Sequence, residues 1–468
     1  MRKWFFIAIV LTLTISPMTP ALAQDTSGPI YIVQPGDTLY SIAERFSITL
    51  GELLAANGIV DANQLAVGQQ LVIPGLQGIT GILDTKFINF GDSYRSLMRQ
   101  TQVQPDLFLR LNRVVSPSEF YVGANMIVPI QESQTQYSRR ISPAVGESML
   151  ELAVKNNTSV WAVRSINQLA GTWESLPGDT LYIPGEPTGN NVSGLPSAFL
   201  SAEIRDLPIK QGGTGVITVI PQPNVSLGGL LVDHPLRFFP QEDGSQVALQ
   251  GVHALLEPGV YPLRLDASLP DGSAQSYEQL ILIVSGNYPE DPLLYVDPET
   301  IDPASTEPEL QQLVSITTPA TPAKLWVGDF ISPAIAYAES TYFTSRYGNR
   351  RTYIGQGTNL SVQGFHTGLD FGGGDGLPIT APAAGVVVFA GPWTVRGNAT
   401  IIDHGWGVYS GFWHQSAIQV QVGQTVNQGD VIGLVGGTGR VTGAHLHWEL
   451  WVNGVQVDPL DWLNQTYP

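Results

Sequence analysis

The residue types best suited to chemistry lie near the end of this 468-residue chain. Five of its 7 histidines fall between His366 and His447, and Asp370 follows the first of them by four positions. A catalytic zinc site takes three protein ligands, mainly imidazoles and carboxylates, and leaves the fourth position for water. His366, Asp370 and one histidine of the pair His445 and His447 supply such a set. The sequence therefore predicts one Zn2+ per chain and metal-assisted hydrolysis.

The local pattern around the paired histidines indicates how they are positioned. The run from Ala444 to Val452 has the apolar and aromatic content of a strand. Alternate residues of a strand share a face, so His445 and His447 project together while Leu446 faces the core. Two of the site's imidazoles are then left over to take a proton from water, pass it to a leaving amine or stabilise an oxyanion.

The segment from Phe343 to Leu463 resembles the lysostaphin-type zinc metallopeptidases, which cut peptides of bacterial peptidoglycan. The matching motifs occur in the family's order: Ser345-Arg-Tyr-Gly-Asn-Arg350, Phe365-His-Thr-Gly-Leu-Asp370, Ile379-Thr-Ala-Pro-Ala-Ala-Gly385, Ile402-Asp-His-Gly-Trp-Gly407, Gly433-Leu-Val-Gly-Gly-Thr-Gly439 and His445-Leu-His-Trp-Glu449. The resemblance implies a mainly-β, duplicated hybrid motif peptidase domain over residues 341–468. It further implies that His366, Asp370 and His447 hold the metal and that His414 and His445 are catalytic.

The remaining histidines favour a structural interpretation. His404 stands between an aspartate and Gly-Trp-Gly and resembles a structural position of the family. His234 and His253 stand alone in a segment without other candidate groups. Around His414 the local sequence Phe412-Trp-His-Gln415 departs from the family, which places a tyrosine two residues earlier and a leucine after the histidine. This departure bears on specificity, since it changes the wall of the cleft.

The start of the chain predicts a compartment. Arg2-Lys3, the apolar run from Trp4 to Ile15 and Ala21-Leu-Ala23 are the three parts of a secretory signal peptide over residues 1–23. The apolar run is too short to span a bilayer, which takes about 20 residues. We therefore expect a secreted protein of the cell envelope or the extracellular space, with no transmembrane anchor after cleavage. The chain has 0 cysteines, so it has no disulfides.

Charge excludes one class of partner and suggests a boundary. A net charge of −18 argues against nucleic acid, which requires a basic surface. Much of the acidity falls between Glu290 and Asp329, in a stretch that also contains many prolines. This composition is typical of an extended, solvated linker, which we place at residues 288–340.

The N-terminal third contains an internal repeat. Asn57, Asn112 and Asn167 recur at a constant step of 55 residues, and the same step relates the prolines and the Gly-Asp or Gly-Glu pairs of each copy. The copies cover residues 29–75, 84–131 and 137–185. The first resembles LysM, a βααβ module that binds glycans containing N-acetylglucosamine, through Tyr31-Ile-Val-Gln-Pro-Gly-Asp-Thr-Leu39 and Leu53-Leu-Ala-Ala-Asn57.

The resemblance implies that sugar lies between two loops of the first copy. The residues implied are Gly36, Asp37, Thr38 and Asn57. The second and third copies keep the frame but change these details, since Asp37-Thr38 becomes Asp92-Ser93 and Glu147-Ser148. They either bind glycan themselves or only support the first copy.

Residues 195–287 alternate apolar, β-rich runs with turn signals such as Glu242-Asp-Gly and Asp271-Gly-Ser. We expect a β-sandwich of immunoglobulin type there. The predicted fold is thus multidomain: βααβ LysM repeats, an immunoglobulin-like β-sandwich and a C-terminal lysostaphin-like peptidase domain.

Together these features predict a zinc-dependent endopeptidase that acts on peptidoglycan, with LysM binding the glycan and the C-terminal domain cutting stem or cross-bridge peptides. One alternative is a non-catalytic wall-binding protein that regulates other hydrolases. Another is a wall-bound scaffold or adhesin, whose glycan binding would not respond to chelators. The presence of all three metal ligands and both extra histidines favours the enzyme.

Overall fold

The computed structural model describes residues 28–61, 63, 65–76, 79, 81–101, 105–112, 120–130, 139–143, 146–177, 179–185, 195–334 and 343–468. The predicted signal peptide, residues 1–23, lies outside this part. The protein divides into two compact units, the first comprising residues 1–85, 103–113 and 127–134 and the second residues 86–102, 114–126 and 135–468. Within the part that the structure describes, no helix has the length and apolar character needed to cross a membrane.

The repeat region is built from short strands and helices. Its strands are β1 (Ile30–Ile32), β2 (Gln70–Val72), β3 (Ile82–Phe87), β4 (Tyr121–Val122), β5 (Asn125–Ile130), β6 (Arg139–Ile141) and β7 (Leu181–Ile183). Its helices are α1 (Leu39–Arg45), α2 (Leu50–Asn57), α3 (Tyr94–Thr101), α4 (Pro105–Asn112), α5 (Met149–Lys155) and α6 (Val160–Ile166). In sequence order, the first copy therefore has the βααβ arrangement, with β1 antiparallel to β2. The third copy has the same order, with β6 antiparallel to β7.

The sequence explains where these helices begin. The hydroxyl of Thr38 accepts a hydrogen bond from the Ser41 N–H and so caps α1, and Thr49 does the same for α2. Ser148 caps α5 in the same way. Such caps stabilise a helix by about 1 kcal/mol each because they satisfy N–H groups that the first turn leaves unpaired.

The three repeated asparagines make the same three hydrogen bonds. The side-chain nitrogen donates to the carbonyl four residues earlier and to the carbonyl fifteen residues later, and the side-chain oxygen accepts from the N–H of that later residue. We call this arrangement the asparagine bracket. It is made by Asn57, Asn112 and Asn167, and in each copy it ties the second helix to the final strand.

Residues 199–284 form two sheets around one apolar core. Their strands are β8 (Phe199–Arg205), β9 (Ile209–Lys210), β10 (Thr214–Pro221), β11 (Ser226–Leu231), β12 (His234–Pro235), β13 (Phe239–Pro240), β14 (Gln246–Gly251), β15 (Gly259–Ser268) and β16 (Ala274–Val284). One sheet has the order β13-β14-β10-β8 and the other β12-β11-β15-β16-β4. Buried Ile217, Leu263 and Ile281 contribute to their shared core.

The C-terminal domain is mainly β. Its elements are β17 (Leu294–Val296), α7 (Pro303–Thr317), β18 (Phe343–Ser345), β19 (Arg350–Gly355), β20 (Ser361–Phe365), β21 (Gly368–Phe371), β22 (Pro378–Thr380), β23 (Gly385–Trp393), β24 (Gly397–Gly405), β25 (Val408–Gln415), β26 (Ala417–Ile418), β27 (Thr425–Val426), β28 (Val431–Leu434), β29 (Leu446–Val452), β30 (Val455–Val457) and α8 (Pro459–Asn464). The main sheet has the order β18-β21-β29-β25-β24-β23-β27, and β22, β28 and β26 form a second one. Between them lies a core that includes Phe371, Trp448 and Trp462.

The prediction of an extended, solvated linker is wrong for the described residues 288–334. Strand β17 pairs with β19 of the C-terminal domain, and helix α7 runs for 15 residues. Trp326 and Phe330 are buried in the core of that domain. The prolines and acids mark a helix start rather than a linker: Pro303 occupies the first turn, where its missing N–H costs nothing, and Asp302 caps the helix. We call residues 294–317 the strap.

Candidate metal centre

Neighbouring strands bring His366, Asp370 and His447 together. Asp370 on β21 is paired directly with His447 on the antiparallel strand β29, and His366 follows strand β20. The Asp370 Oδ1 atom lies 2.6 Å from His447 Nδ1 and 3.0 Å from His366 Nε2, and the two nitrogens are 3.0 Å apart. All three side chains are buried. Three donor atoms of the predicted types thus converge on one point.

Each of these two imidazoles is held by its other nitrogen. His366 Nδ1 lies 2.8 Å from the carbonyl oxygen of Arg346, and His447 Nε2 lies 3.2 Å from Glu449 Oε1. Metal-binding histidines usually donate their second N–H to a carbonyl or a carboxylate, which fixes the ring and its tautomer. The donor set and its supports therefore fit a zinc ion with three protein ligands.

A further layer of side chains positions this set. Glu449 accepts hydrogen bonds from the Thr367 hydroxyl and, at 2.8 Å, from Gln456 Nε2. Arg351 Nη2 lies 3.5 Å from Asp370 Oδ2. Sequence reasoning missed these roles. The spacing of His447 and Glu449, two residues apart on one strand, was a signal for Glu449, whereas nothing local pointed to Arg351.

The charges of the three residues depend on one another. Burial raises the pKa of Asp370, but His366 and His447 outweigh it and hold that pKa well below its usual range. Burial lowers the pKa of His447, but Asp370 and Glu449 raise it by more, so the pKa of His447 lies above its ordinary value. Burial keeps the pKa of His366 low. A metal must displace the His447 proton, so its binding weakens as pH falls.

His414 and His445 lie beside this group in the same cleft. Their ring centroids are 5.2 Å apart, and His445 Nε2 lies 3.5 Å from Asp370 Oδ1. His414 Nδ1 is 2.8 Å from the Thr438 carbonyl, and His445 Nδ1 is 2.8 Å from the Gly443 carbonyl. His414 also has a φ of +62°, a strained value for a residue with a side chain. Such strain is typical of positions whose side chain must be aimed.

Burial, followed by the neighbouring His447 and His445, lowers the pKa of His414 to about 3. The ring is therefore neutral at neutral pH. Because its Nδ1–H donates to a carbonyl, Nε2 carries a lone pair, and no described residue makes a hydrogen bond to it. This nitrogen can accept a proton.

The five residues open into one cleft of about 320 Å³. Leu294 and Val296 of the strap line it, together with Tyr353 and Trp413. Three arginines also line the cleft, namely Arg351, Arg396 and Arg440. The strap is thus one wall of the cleft rather than a distant tether.

The other histidines have internal partners. His404 is completely buried, and its nitrogens lie 2.8 Å from the Ala384 carbonyl and 2.9 Å from the Ser410 hydroxyl. His253 accepts from the Leu255 N–H, and its ring packs against Phe365. His234 lies 2.6 Å from the Asp233 carboxylate at the surface. None of them joins the convergent group.

The residues expected to contact sugar lie in the first unit and are held by internal bonds. Asp37 accepts from the Tyr31 hydroxyl at 2.7 Å and from the Gln34 N–H at 2.8 Å. Gly36 adopts a φ of +88° in the adjoining turn, and Thr38 caps α1. The amide of Asn57 is used in its bracket. Any sugar contact at this asparagine must therefore come from neighbouring loop atoms.

Two parts of the chain match known protein families. Residues 364–459 match the model of Peptidase family M23, and residues 31–74 match that of the LysM domain. The DD-carboxypeptidase/endopeptidase Mpg of Neisseria meningitidis is 45% identical over 95 residues, which are 20% of this chain and 22% of that protein. The peptidoglycan DD-endopeptidase ShyA of Vibrio cholerae is 43% identical, with the same coverage. The chain therefore spans about a fifth of the length of these curated relatives.

Among solved structures, peptidase M23 from Pseudomonas aeruginosa is 27% identical, with a TM-score of 0.42 over 55% of this chain and 96% of that one.

Proposed function

We propose that this chain, which carries a LysM domain and a peptidase family M23 domain, is a zinc-dependent endopeptidase that cuts the peptides of peptidoglycan. The observation that carries the proposal is the convergence of His366, Asp370 and His447 within 3.0 Å of one another, beside two further imidazoles in the same cleft. A regulator without activity does not need this set. The name of the similar protein ShyA, a peptidoglycan DD-endopeptidase, supports the same substrate class.

His366, Asp370 and His447 would hold the zinc, which supplies Lewis-acid chemistry for hydrolysis at neutral pH. Their supports keep the rings oriented: the Arg346 carbonyl holds His366, and Glu449 holds His447. The three side chains are buried, and burial strengthens the interaction of these groups with developing charge.

His414 and His445 would move protons and stabilise charge. The open Nε2 of the neutral His414 ring accepts a proton from the attacking water. His445 lies at the rim of the cleft, where it can stabilise the tetrahedral transition state, while His414 returns the proton it accepted to the leaving amine. The two histidines thus serve as base and transition-state stabiliser.

The LysM domain would concentrate the enzyme on its substrate. We assign glycan binding to the surface of the turn Gly36, Asp37 and Thr38 and of the loop after Asn57. Tethering a weak binder to a catalytic domain raises the effective concentration of substrate without a new contact at the active site. The second and third copies, which keep the asparagine bracket, would extend or support this surface.

The remaining assignments concern location and architecture. Residues 1–23 would direct secretion, and the protein would act in the cell envelope or outside the cell. The two sheets of residues 195–287 would be an immunoglobulin-like sandwich. The acidic surface is compatible with a neutral glycan, which is held by hydrogen bonds and apolar contacts.

The test is a product analysis of digested peptidoglycan. The full chain should release peptides with new primary amines and no new reducing sugar ends, since a peptide bond rather than a glycosidic bond is cut. The Asp370→Ala variant, which retains the LysM domain, should bind the same peptidoglycan without releasing amines. Glycan binding with no products from either protein would instead indicate a wall-binding regulator or scaffold.

A further inference from the structure

The three arginines of the cleft differ in how their charges are compensated. Arg351 Nε lies 3.0 Å from Asp291, and its Nη2 lies 3.5 Å from Asp370. Arg396 Nη1 lies 2.7 Å from Glu309, a buried residue of helix α7. Arg440, by contrast, pairs with no carboxylate of the described residues. In a chain of net charge −18, an uncompensated arginine in the catalytic cleft is notable.

Arg440 is nevertheless held in a fixed orientation. Its guanidinium lies 4.2 Å from the centre of the Tyr353 ring, and Nη1 donates to the Thr300 carbonyl of the strap at 3.2 Å. Its backbone N–H donates to the Val395 carbonyl at 2.8 Å. Stacking on an aromatic ring and one neutral acceptor orient the plane of the guanidinium but leave most of its five N–H donors available.

The surroundings of Arg440 favour an incoming anion. Burial lowers the pKa of Arg440, and the nearby positive charges of Arg396 and Arg351 lower it further, although Tyr353 and Glu309 raise it in part. A guanidinium remains charged even so, which means that the cleft holds a positive charge in a poorly solvated place. The buried Glu309 of the strap already pairs with Arg396 and with the Val395 N–H.

We propose that Arg440 binds a carboxylate of the substrate peptide and thereby selects peptides that carry a free carboxylate near the scissile bond. This inference rests on the proposed function, because it names the substrate class of the same cleft. A planar guanidinium matches a carboxylate with two parallel N–H···O bonds, and such charge-assisted bonds are about twice as strong as neutral ones. Arg440 is in this sense a specificity residue, separate from the metal ligands and from His414 and His445.

The test uses the full chain and a synthetic cross-linked stem peptide in three forms. In the first form all carboxylates are free, in the second only the C-terminal carboxylate is amidated, and in the third only the side-chain carboxylates are amidated. Affinity is measured by calorimetry on metal-free protein, so that nothing is cut, and kcat and KM are measured after zinc is restored. The last two peptide forms show which carboxylate is bound.

Arg440→Gln should weaken binding of the free-carboxylate peptide by roughly 10-fold or more, because a charge-assisted pair is lost. This loss should raise KM and leave kcat unchanged. For the peptide in which the carboxylate bound by Arg440 is amidated, the same substitution should weaken binding by less than about 2-fold. Arg440→Lys should retain part of the affinity, since lysine keeps the positive charge but cannot form the two parallel hydrogen bonds of a guanidinium. Replacing Arg350, an exposed arginine outside the cleft lining, with glutamine should leave binding and turnover like those of the wild type.

Equal losses by Arg440→Gln on all three forms, or no loss at all, would overturn the inference, because Arg440 would then only pack against Tyr353. The two proposals also fail separately. If the zinc-restored wild type prefers peptides with a free carboxylate but cuts none of them, the proposed peptidase activity is wrong and the carboxylate-binding role of Arg440 stands. If the wild type cuts all three forms equally well, the proposed peptidase activity stands and the carboxylate-binding role of Arg440 is wrong.

Discussion

The repeats and the peptidase domain both bury polar side chains, and they leave them in different states. In each asparagine bracket the side-chain amide is saturated: Asn167, for example, is 2% exposed and makes three hydrogen bonds to backbone groups. In the cleft, His366, His414 and His447 are just as deeply buried, yet each has one nitrogen anchored and the other directed at the site.

The difference separates structural from chemical roles. A buried polar group that is fully bonded stabilises the fold, because leaving its partners unpaired would cost about 1–3 kcal/mol for each group. A buried polar group with one anchored atom and one open atom is oriented for a ligand or a proton. His404, whose nitrogens both have partners, belongs with the asparagines although it lies in the peptidase domain.

The largest effect should come from removing a ligand. His447→Ala should lose bound zinc and reduce peptide release at least about 10³-fold, because two ligands remain and Glu449 loses its imidazole partner. Metal analysis of the purified protein and amine release measure the two outcomes. A His447 variant with the zinc content of the wild type would remove this residue from the ligand set.

Removing an open imidazole should spare the metal. His414→Ala should keep zinc and lose roughly 10²–10⁴-fold in kcat, since a proton acceptor is gone. His404→Ala is the matched control: it should lower thermal stability while turnover per zinc-loaded molecule stays near that of the wild type. If both variants lose turnover to the same extent at equal zinc content, the distinction between open and saturated histidines fails.

The support of His447 should have an intermediate effect. Glu449→Gln should lower zinc affinity by about 10–100-fold, because a neutral amide orients the imidazole less strongly than a carboxylate does. Competition with a chromogenic chelator gives the affinity. Gln456→Ala, which removes only a hydrogen bond to Glu449, should change it less. An unchanged affinity in Glu449→Gln would show that the carboxylate is not needed to hold the ring.

Replacing an asparagine whose side chain is fully hydrogen-bonded should lower the stability of its own repeat only. Asn167→Ala should destabilise the third copy by roughly 2–5 kcal/mol, since the Tyr182 N–H and carbonyl lose their partner. Hydrogen exchange at Tyr182 should accelerate accordingly, while zinc content stays constant. Slow exchange at Tyr182 in the variant would mean that the bracket does not hold the strand.

The smallest effect concerns pH. Burial, with the nearby Asp461, raises the pKa of Asp458 to about 6, so the folded protein binds this proton more tightly than the unfolded chain does. The favourable contribution is complete below about pH 4 and is lost as pH rises to 6 and beyond. Asp458→Asn should therefore stabilise the protein by of order 1–3 kcal/mol above pH 6, with the gain vanishing below pH 4. Thermal melts of both proteins across this range provide the check, and a constant difference would contradict the raised pKa.

Some parts of this molecule follow from local pattern and others do not. Local spacing predicts that His366, Asp370 and one histidine of the pair His445 and His447 come together, and the structure brings His447 within 3.0 Å of the other two. The runs Val216 to Ile220 and Leu280 to Val284 lie within β10 and β16, as their β-branched and apolar content indicates. The step of 55 residues revealed the repeats, but not that the recurring asparagine is a bracket.

What could not be predicted depends on contacts between distant residues. Composition alone made residues 288–334 resemble a linker, because prolines and acids are common both in linkers and at helix starts. Only the tertiary structure shows that Leu313 and Trp326 are buried and that Glu309 meets Arg396. Likewise, no local signal places Arg440 against Tyr353, 87 residues earlier, or indicates that no carboxylate among the described residues pairs with it.

The most direct test of the central claim is amine release from purified peptidoglycan by the full chain, before chelation, after chelation and after zinc is restored. The account predicts release that stops with chelator, returns with zinc and never occurs with Asp370→Ala. Release that continues at full rate in the zinc-free protein, or in the Asp370→Ala variant, would contradict the assignment of His366, Asp370 and His447 as a catalytic metal centre.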